Sequence, residues 1–508
     1  MNDEFVRTST SCDKPLTRTH TVRAASDPLR FWALISAVLL STVFPVFSVG
    51  QNVTPLVTFN GINGAVPYSS LVQGTDGNLY GTTETGGNTS CNSPNGCGTV
   101  FKMTPDGTLT TLYTFCSKAN CTDGANPLTG LVLGTDGNLY GATAAGGAHA
   151  CTGTVSCGGT VFRITPQGRL TTLYSFCAQT NCTDGQSPST LTQASDGMFY
   201  GTGGGGAYGL GIVFKITPQG KLTLLYNFCS QSICPDGADP RAGLVRGTDG
   251  NLYGTTYGGG ALSYGTIFKI APGGKLTTLH SFNYSDGAYP TAALIQAKDG
   301  GFYGSTQWGG TVLYNCPFGC GTLFRISATG KLKTLVSFDW SNGYQPDSSL
   351  VQATDGNFYG TTSEGIGGGT IFSITPSGSL TNLYTFYGGF AGIFPFGGLV
   401  QATSGTFYGT TAGDGFSDGT IYSLDMSLGP FVSFVMPSGK IGQRAQILGQ
   451  GLAGTTSVTF NGIPAASFAV VSDTYMTAVV PTGATTGPVI VTTLSGALTS
   501  NVSFRVTK

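Results

Sequence analysis

The side chains in this chain best suited to chemistry are aspartates, and they recur at fixed places. One set stands in the phrase Asp/Asn-Gly-x-x-Pro, at Asn63, Asp123, Asp184, Asp236, Asp286 and Asn342; the phrase is lost at Gly392. Equivalent positions of a repeat would form a ring of carboxylates able to ligate a cation or sugar hydroxyls. The alternative is an Asx-turn, in which each side chain bonds nearby backbone before Pro steers the chain into a strand. No D-x-D-x-D-G run of the calcium-loop kind is present, so no metal and no cofactor is assigned. A second set belongs to the phrase T-D-G-N-L-Y-G, at Asp76, Asp136, Asp196, Asp249, Asp299 and Asp355, with Ser404 in the seventh place. A later strand carries Lys102, Arg163, Lys215, Lys269 and Arg325 at one register, then Ser373 and Ser423. Pairing of each turn carboxylate with such a base is one expectation. The other is that the basic stems reach water independently.

The chain leans away from an enzyme. Beyond residue 50 there are two histidines, His149 and His280, and two glutamates, Glu84 and Glu364. His280 replaces the Tyr of a repeated L-Y-S-F strand, which reads as a packing variant. No G-x-S-x-G elbow, H-E-x-x-H helix or phosphate loop occurs. Acid/base pairs drawn from the aspartates keep one enzymatic alternative open, a secreted lyase or hydrolase of polysaccharide. Aromatic residues on the long loops suit sugar rings or a protein partner. The candidates are Trp308, Trp340, Tyr208, Tyr257, Tyr264, Tyr314 and Tyr344, and together with Asp123, Asp184, Asp236 and Asp286 they form the expected ligand-binding set. The competing reading is that these aromatics cover loop backbone.

What would position such residues is a repeat. The T-D-G-N-L-Y-G phrase returns at steps of about 50 to 60 residues, the mark of a repeat architecture. Each unit reads as four short strands. In the unit near Leu332, K-T-L-V-S-F, S-L-V-Q-A-T, N-F-Y-G-T-T and G-T-I-F-S-I are strands, joined by D-G and T-P-S-G turns and by longer loops. Four antiparallel strands per unit predict an all-β fold, a seven-bladed β-propeller over residues 51–428. The last unit lacks its fourth strand, and residues 55–59, P-L-V-T-F, match it; the N-terminal strand is expected to close the ring. The short turns then lie on one face and the long loops on the other.

Twelve of the 13 cysteines form close pairs, all in the long loops: Cys91 with Cys97, Cys116 with Cys121, Cys151 with Cys157, Cys177 with Cys182, Cys229 with Cys234, and Cys316 with Cys320. Disulfides on one face are expected; zinc, which needs two pairs converging on one ion, is the rival. The thirteenth, Cys12, precedes an uncharged apolar run at 31–49. Residues 1–50 read as a signal segment cut after Gly50, or else as an uncleaved signal anchor, in which case the membrane is reached only through this segment. The protein is expected to be secreted, periplasmic or on the cell surface. Formal net charge is −1 with 9% charged residues, which gives no nucleic-acid partner.

From Gly429 the phrase disappears. Seven short β segments with an Asn461-Gly462 hairpin signal predict a small Ig-like β-sandwich over 429–508. The repeated L-V-x-x-T-D-G-N-L-Y-G-T-T followed by G-T-V-F-K-I-T-P-x-G closely resembles the GloVer tandem repeat over about residues 54–424. The tail, with S-G-K-I-G-Q-R-A-Q-I-L-G-Q-G-L, looks like an IPT/TIG Ig-like domain. The resemblance implies a bacterial, exported protein and carries no activity. The expectation is a non-enzymatic binding or adhesion module that presents its disulfide-pinned loop face to an extracellular glycan or surface protein.

Overall fold

The computed structural model describes residues 53–89, 91–149, 158–413 and 418–507. The apolar segment 31–49, Cys12, Cys151 and Cys157 lie outside the described residues. Within them the chain is all-β, with four short 3₁₀ turns and no α-helix, and no helix is long and apolar enough to cross a membrane.

The repeated unit builds a four-stranded antiparallel sheet. In the first, Val72–Gln73, Leu79–Thr83, Thr99–Met103 and Leu109–Thr114 pair in chain order. The second strand is buried at every position and the third at all but Lys102, so their apolar runs are packed on both faces. The fourth strand is only partly covered, with Thr110 and Thr111 exposed. The first turn differs in detail from a two-residue Asp-Gly hairpin. Gly77 donates to Gly74 O at 3.1 Å and adopts φ +78°, so Thr75 and Asp76 are the central residues and Gly supplies the left-handed position after them. The Gly after the strand Tyr has another reason. Gly81 faces Phe101 in register, and a Cβ there would lie 2.5 Å from the Phe101 ring.

Among the described residues, seven such sheets are formed between positions 53 and 424. In the last, the strand Val53–Thr58 pairs with Thr420–Leu424, Pro55 opposite Tyr422 and Val57 opposite Ile421. Consecutive sheets share cores. Phe115 and Phe162 meet between the first and second, and Phe338 and Phe372 between the fifth and sixth. The seventh and first share one too, where Val57, Phe59 and Ile421 pack on Leu79 and Phe101. The packing therefore returns on itself. Glutamines stitch the inner edge: Gln193 Oε1 accepts the N–H of Thr135 in the preceding sheet at 2.9 Å, and Gln73 does the same for Thr403 across the seam at 2.9 Å.

Residues 433–507 form two four-stranded sheets and a two-stranded parallel ladder. Val432, Ile447, Val458, Met476, Val491 and Phe504, drawn from both sheets, fill one core. This part sits on the turn ends of the repeated sheets. Thr474 Oγ1 donates to Thr75 O at 2.8 Å, Gln446 Nε2 to Thr135 O at 2.9 Å, and Thr403 Oγ1 to Gly449 O at 3.1 Å. Arg505 donates to Thr248 O on the far side.

Candidate functional site

The turn aspartates are structural. Tyr80 OH donates to Asp76 Oδ2 at 2.8 Å, and the same Tyr-to-Asp bond, four residues apart, recurs at 2.7–3.0 Å in the next five sheets. Asn78 adds its amide to the same oxygen at 2.6 Å. This arrangement fills the carboxylate, and the expected pairing with a strand base occurs once among the described residues, Arg325 Nε to Asp299 Oδ2 at 2.9 Å. The reason is local. Gly301 stands where the other five Asp-bearing phrases carry Asn or Met, and a Cβ there would lie 2.7 Å from Arg325 Nε.

The loop aspartates are held in the same way. Asp123 is buried and accepts from Tyr113 OH at 2.7 Å and Ser117 N at 3.0 Å. Burial, with the Asp123 carboxylate beside it, pushes the Tyr113 phenol up to about 12. Asp184 takes Tyr174 OH at 2.8 Å and Ala178 N at 3.0 Å; Asp236 takes Tyr226 OH at 2.9 Å and Cys229 N at 3.1 Å. Asp286 accepts the N–H of Asn283 at 2.9 Å and lies 2.8 Å from His280 Nε2, so the His that replaces Tyr keeps the bond to the loop carboxylate. Each acid serves its own loop as an Asx-type staple.

The aromatic candidates fall into separate groups. Trp308 stands edge-on to Tyr344 at 5.6 Å and to Phe318 at 5.5 Å, and Trp340 lies 5.5 Å from Tyr344. Tyr257 and Tyr264 gather around Tyr289, at 4.9 and 5.9 Å. Tyr208 and Tyr314 are exposed, Tyr314 completely.

Disulfides join Cys91 to Cys97, Cys116 to Cys121, Cys177 to Cys182, Cys229 to Cys234 and Cys316 to Cys320, all in long loops. The bridge expected between Cys151 and Cys157 is not among them, because both Cys151 and Cys157 fall in a stretch outside the described residues. Five of the six expected bridges are therefore seen. The sulfurs of Cys91, Cys97 and Cys116 lie within 4.8 Å of one another because two of these bridges are neighbours.

What the loops do bring together is a cavity of about 690 Å³ lined from all seven sheets. It depends on the residue before each loop Pro. Val66, Asn126, Ser187, Asp239, Tyr289, Gln345 and Phe394 all adopt a left-handed φ between 43° and 59°. Two backbone bonds clamp that conformation in most loops. Gln345 N–H donates to Cys320 O of the preceding sheet at 3.1 Å, and Gln345 O accepts from Ser363 N at 2.9 Å. Only such over-determination holds a Val, as at position 66, in this region. The residue after the Pro is thereby delivered to the cavity: Tyr68, Leu128, Ser189, Arg241, Thr291, Asp347 and Phe396.

The walls are chemically distinct. Tyr68 stacks on Phe396 with ring centroids 4.6 Å apart. Arg241 pairs with Asp239 at 2.7 Å and lies 3.6 Å over the Tyr257 ring. Elsewhere on the wall, Asp347 accepts from Thr291 Oγ1 at 3.1 Å and Ser363 Oγ at 3.0 Å. It sits deep in the protein while still touching the cavity, and burial pushes its carboxyl up to about 7 against the pull of those hydroxyls; nearby Glu364 adds to the rise. Burial also raises Glu84 and Tyr68, and Tyr68 feels both Glu84 and Asp347. Ser69, Ser70, Ser348 and Ser349 complete the lining with hydroxyls. Sequence reasoning passed over Asp347, Arg241, Tyr68 and Phe396 because no residue type repeats at their position. The available signal was the Pro itself, one residue earlier in each loop.

The Gloeobacter/Verrucomicrobia repeat family matches residues 40–156, 152–367 and 311–463. The chain belongs to this family. The repeat protein has no match among curated proteins. Solved structures similar to it include a candidate 6-phosphogluconolactonase from Bacteroides uniformis, 17% identical, covering 63% of this chain and 85% of that one with a TM-score of 0.42. Another is a gluconolactonase from Xanthomonas campestris, 14% identical, covering 73% and 94% with a TM-score of 0.35.

Proposed function

We propose that residues 53–424 are a closed seven-bladed β-propeller, that residues 429–508 are an Ig-like domain of the IPT/TIG kind, and that the protein is a secreted or surface binding module for a glycan. The ligand occupies the central cavity at the long-loop face. The observation that carries this reading is the delivery of seven different post-proline side chains, from seven sheets, into one cavity. There an aromatic pair offers a flat apolar face, while hydroxyls and Asp347 offer hydrogen-bond partners, the combination that a sugar ring needs. The disulfides and the apolar segment 31–49 support export. The loop aspartates Asp123, Asp184, Asp236 and Asp286 shape the loops, and Trp308, Trp340 and Tyr344 brace them; Tyr257 contributes at the rim through Arg241.

The test is a glycan array followed by titration calorimetry of the hits. Tyr68→Ala and Asp347→Ala each weaken binding at least tenfold, whereas Tyr314→Ala leaves it unchanged. Equal binding by all variants removes the cavity from the account. One observation favours a second reading, a hydrolase or lyase: a carboxyl that titrates near neutrality beside a cavity is the usual state of a general acid or base. Turnover of an array hit by the wild type, lost in Asp347→Asn, would select it.

A further inference from the structure

A second cavity, of about 590 Å³, opens between the C-terminal sheets and the turn ends of the second and third repeated sheets. Its lining includes Thr135, Ser195, Ser438, Lys440, Arg444 and Thr507, and no lining residue is acidic. Arg246 backs it: Nη1 donates to Ser438 Oγ at 2.9 Å and Nη2 to Ser195 Oγ at 2.7 Å. Arg505 comes to the same place from the other side. It lies opposite Ser438 in the parallel ladder of Ser438–Lys440 with Arg505–Thr507, and its Nη1 donates to the carbonyl oxygens of Gly247 and Thr248. The Arg246 guanidinium thus holds Ser438 from behind the cleft, that of Arg505 lies near it on the Gly247–Thr248 turn, and Lys440 and Arg444 stand on the rim. Among the described residues none of the four takes part in an ion pair. The nearby carboxylate of Asp196 is engaged by Tyr200 OH at 2.7 Å and by Met198 N at 3.0 Å. Asp196 offsets part of the charge on Arg246, but the four cations in and behind the cleft outnumber it, and such an excess of positive charge favours an incoming anion. Burial and the adjacent Arg505 oppose the charge on Arg246 more than Asp196 supports it, a balance that an anion would relieve.

We infer that this junction crevice is an oxyanion site that takes a sulfate or phosphate group. The oxygens of Ser195 and Ser438 already accept from Arg246, so their own protons are free to point at the anion. Lys440 and Arg444 neutralise it from the rim. The site is separate from the central cavity and does not depend on what that cavity binds.

The test uses the mature chain, titrated calorimetrically at low ionic strength with inorganic sulfate, inorganic phosphate, glucose 6-sulfate, glucose 6-phosphate and glucose. Saturable binding is expected for at least one oxyanion and its sugar ester, with none for glucose; the sulfate and phosphate arms decide which group is preferred. The double variant Lys440→Gln/Arg444→Gln alters only exposed side chains, and it should weaken binding about tenfold and flatten the salt dependence. Arg246→Met should abolish binding. If Arg246→Met fails to fold, the rim variant alone carries the decision. No saturable binding of either oxyanion, or binding unchanged in the rim variant, overturns the inference.

Discussion

Asp347 makes the cavity's chemistry measurable without any ligand. Its carboxyl titrates at about 7 in the folded protein because burial disfavours the anion. In the unfolded chain an aspartate titrates near ~3.9. Folding therefore takes up a proton at this site between those two values. The contribution to stability is fully present at the acid end and is lost as pH rises through 7. At ~1.4 kcal/mol per pH unit, the gap of about three units corresponds to roughly 4 kcal/mol, a ceiling that reorientation of the Thr291 and Ser363 hydroxyls lowers. Asp347→Asn is neutral at every pH and keeps partners for both hydroxyls. The variant should match the wild type at pH 4 and exceed it by up to roughly 4 kcal/mol at pH 8. Urea unfolding followed by tryptophan fluorescence at several pH values reads the difference directly. A difference that stays constant from pH 4 to pH 8 would refute the burial argument, and with it the reason for treating Asp347 as the reactive group of the cavity.

Four further outcomes test the scaffold. Val66→Gly relieves a β-branched residue held at φ +56° and should stabilise the protein by about 1 kcal/mol in the same unfolding assay, despite the lost side chain. Tyr253→Phe removes the hydroxyl that donates to Asp249 at 2.8 Å and should cost about 1 kcal/mol, whereas His280→Tyr restores the phenol used by the other loops and should change stability by less than ~0.5 kcal/mol. Replacing Cys229 and Cys234 by Ser should cost no more than about 2 kcal/mol and leave the far-ultraviolet circular dichroism unchanged, because the bridge closes a loop of only a few residues.

The repeat carried the sheets in plain view. Its period, the Asp-Gly and Thr-Pro-x-Gly turns and the buried strand triplets mark the strands almost residue by residue, and P-L-V-T-F at 55–59 identifies the strand that joins the last sheet. Side-chain partnerships were harder to read. Asp76 looks like a partner for Lys102 by charge, yet the Tyr four residues on reaches it first, through a strand geometry that only the folded hairpin reveals. The loop aspartates look like a ligand ring by repetition, and repetition here reflects a shared turn. The cavity was nearly invisible because its wall is built from the position that does not repeat: Tyr, Leu, Ser, Arg, Thr, Asp and Phe follow the seven prolines. The backbone conformation that aims them is common to residues as unlike as Val66 and Tyr289, so sequence similarity could not flag it.

The C-terminal sheets bridge turns from opposite sides of the ring, Thr75 and Thr403 on one flank and Thr248 on the other. These bonds tie repeats far apart in the sequence to one folded unit, so the C-terminal sheets and the repeated sheets are expected to unfold together.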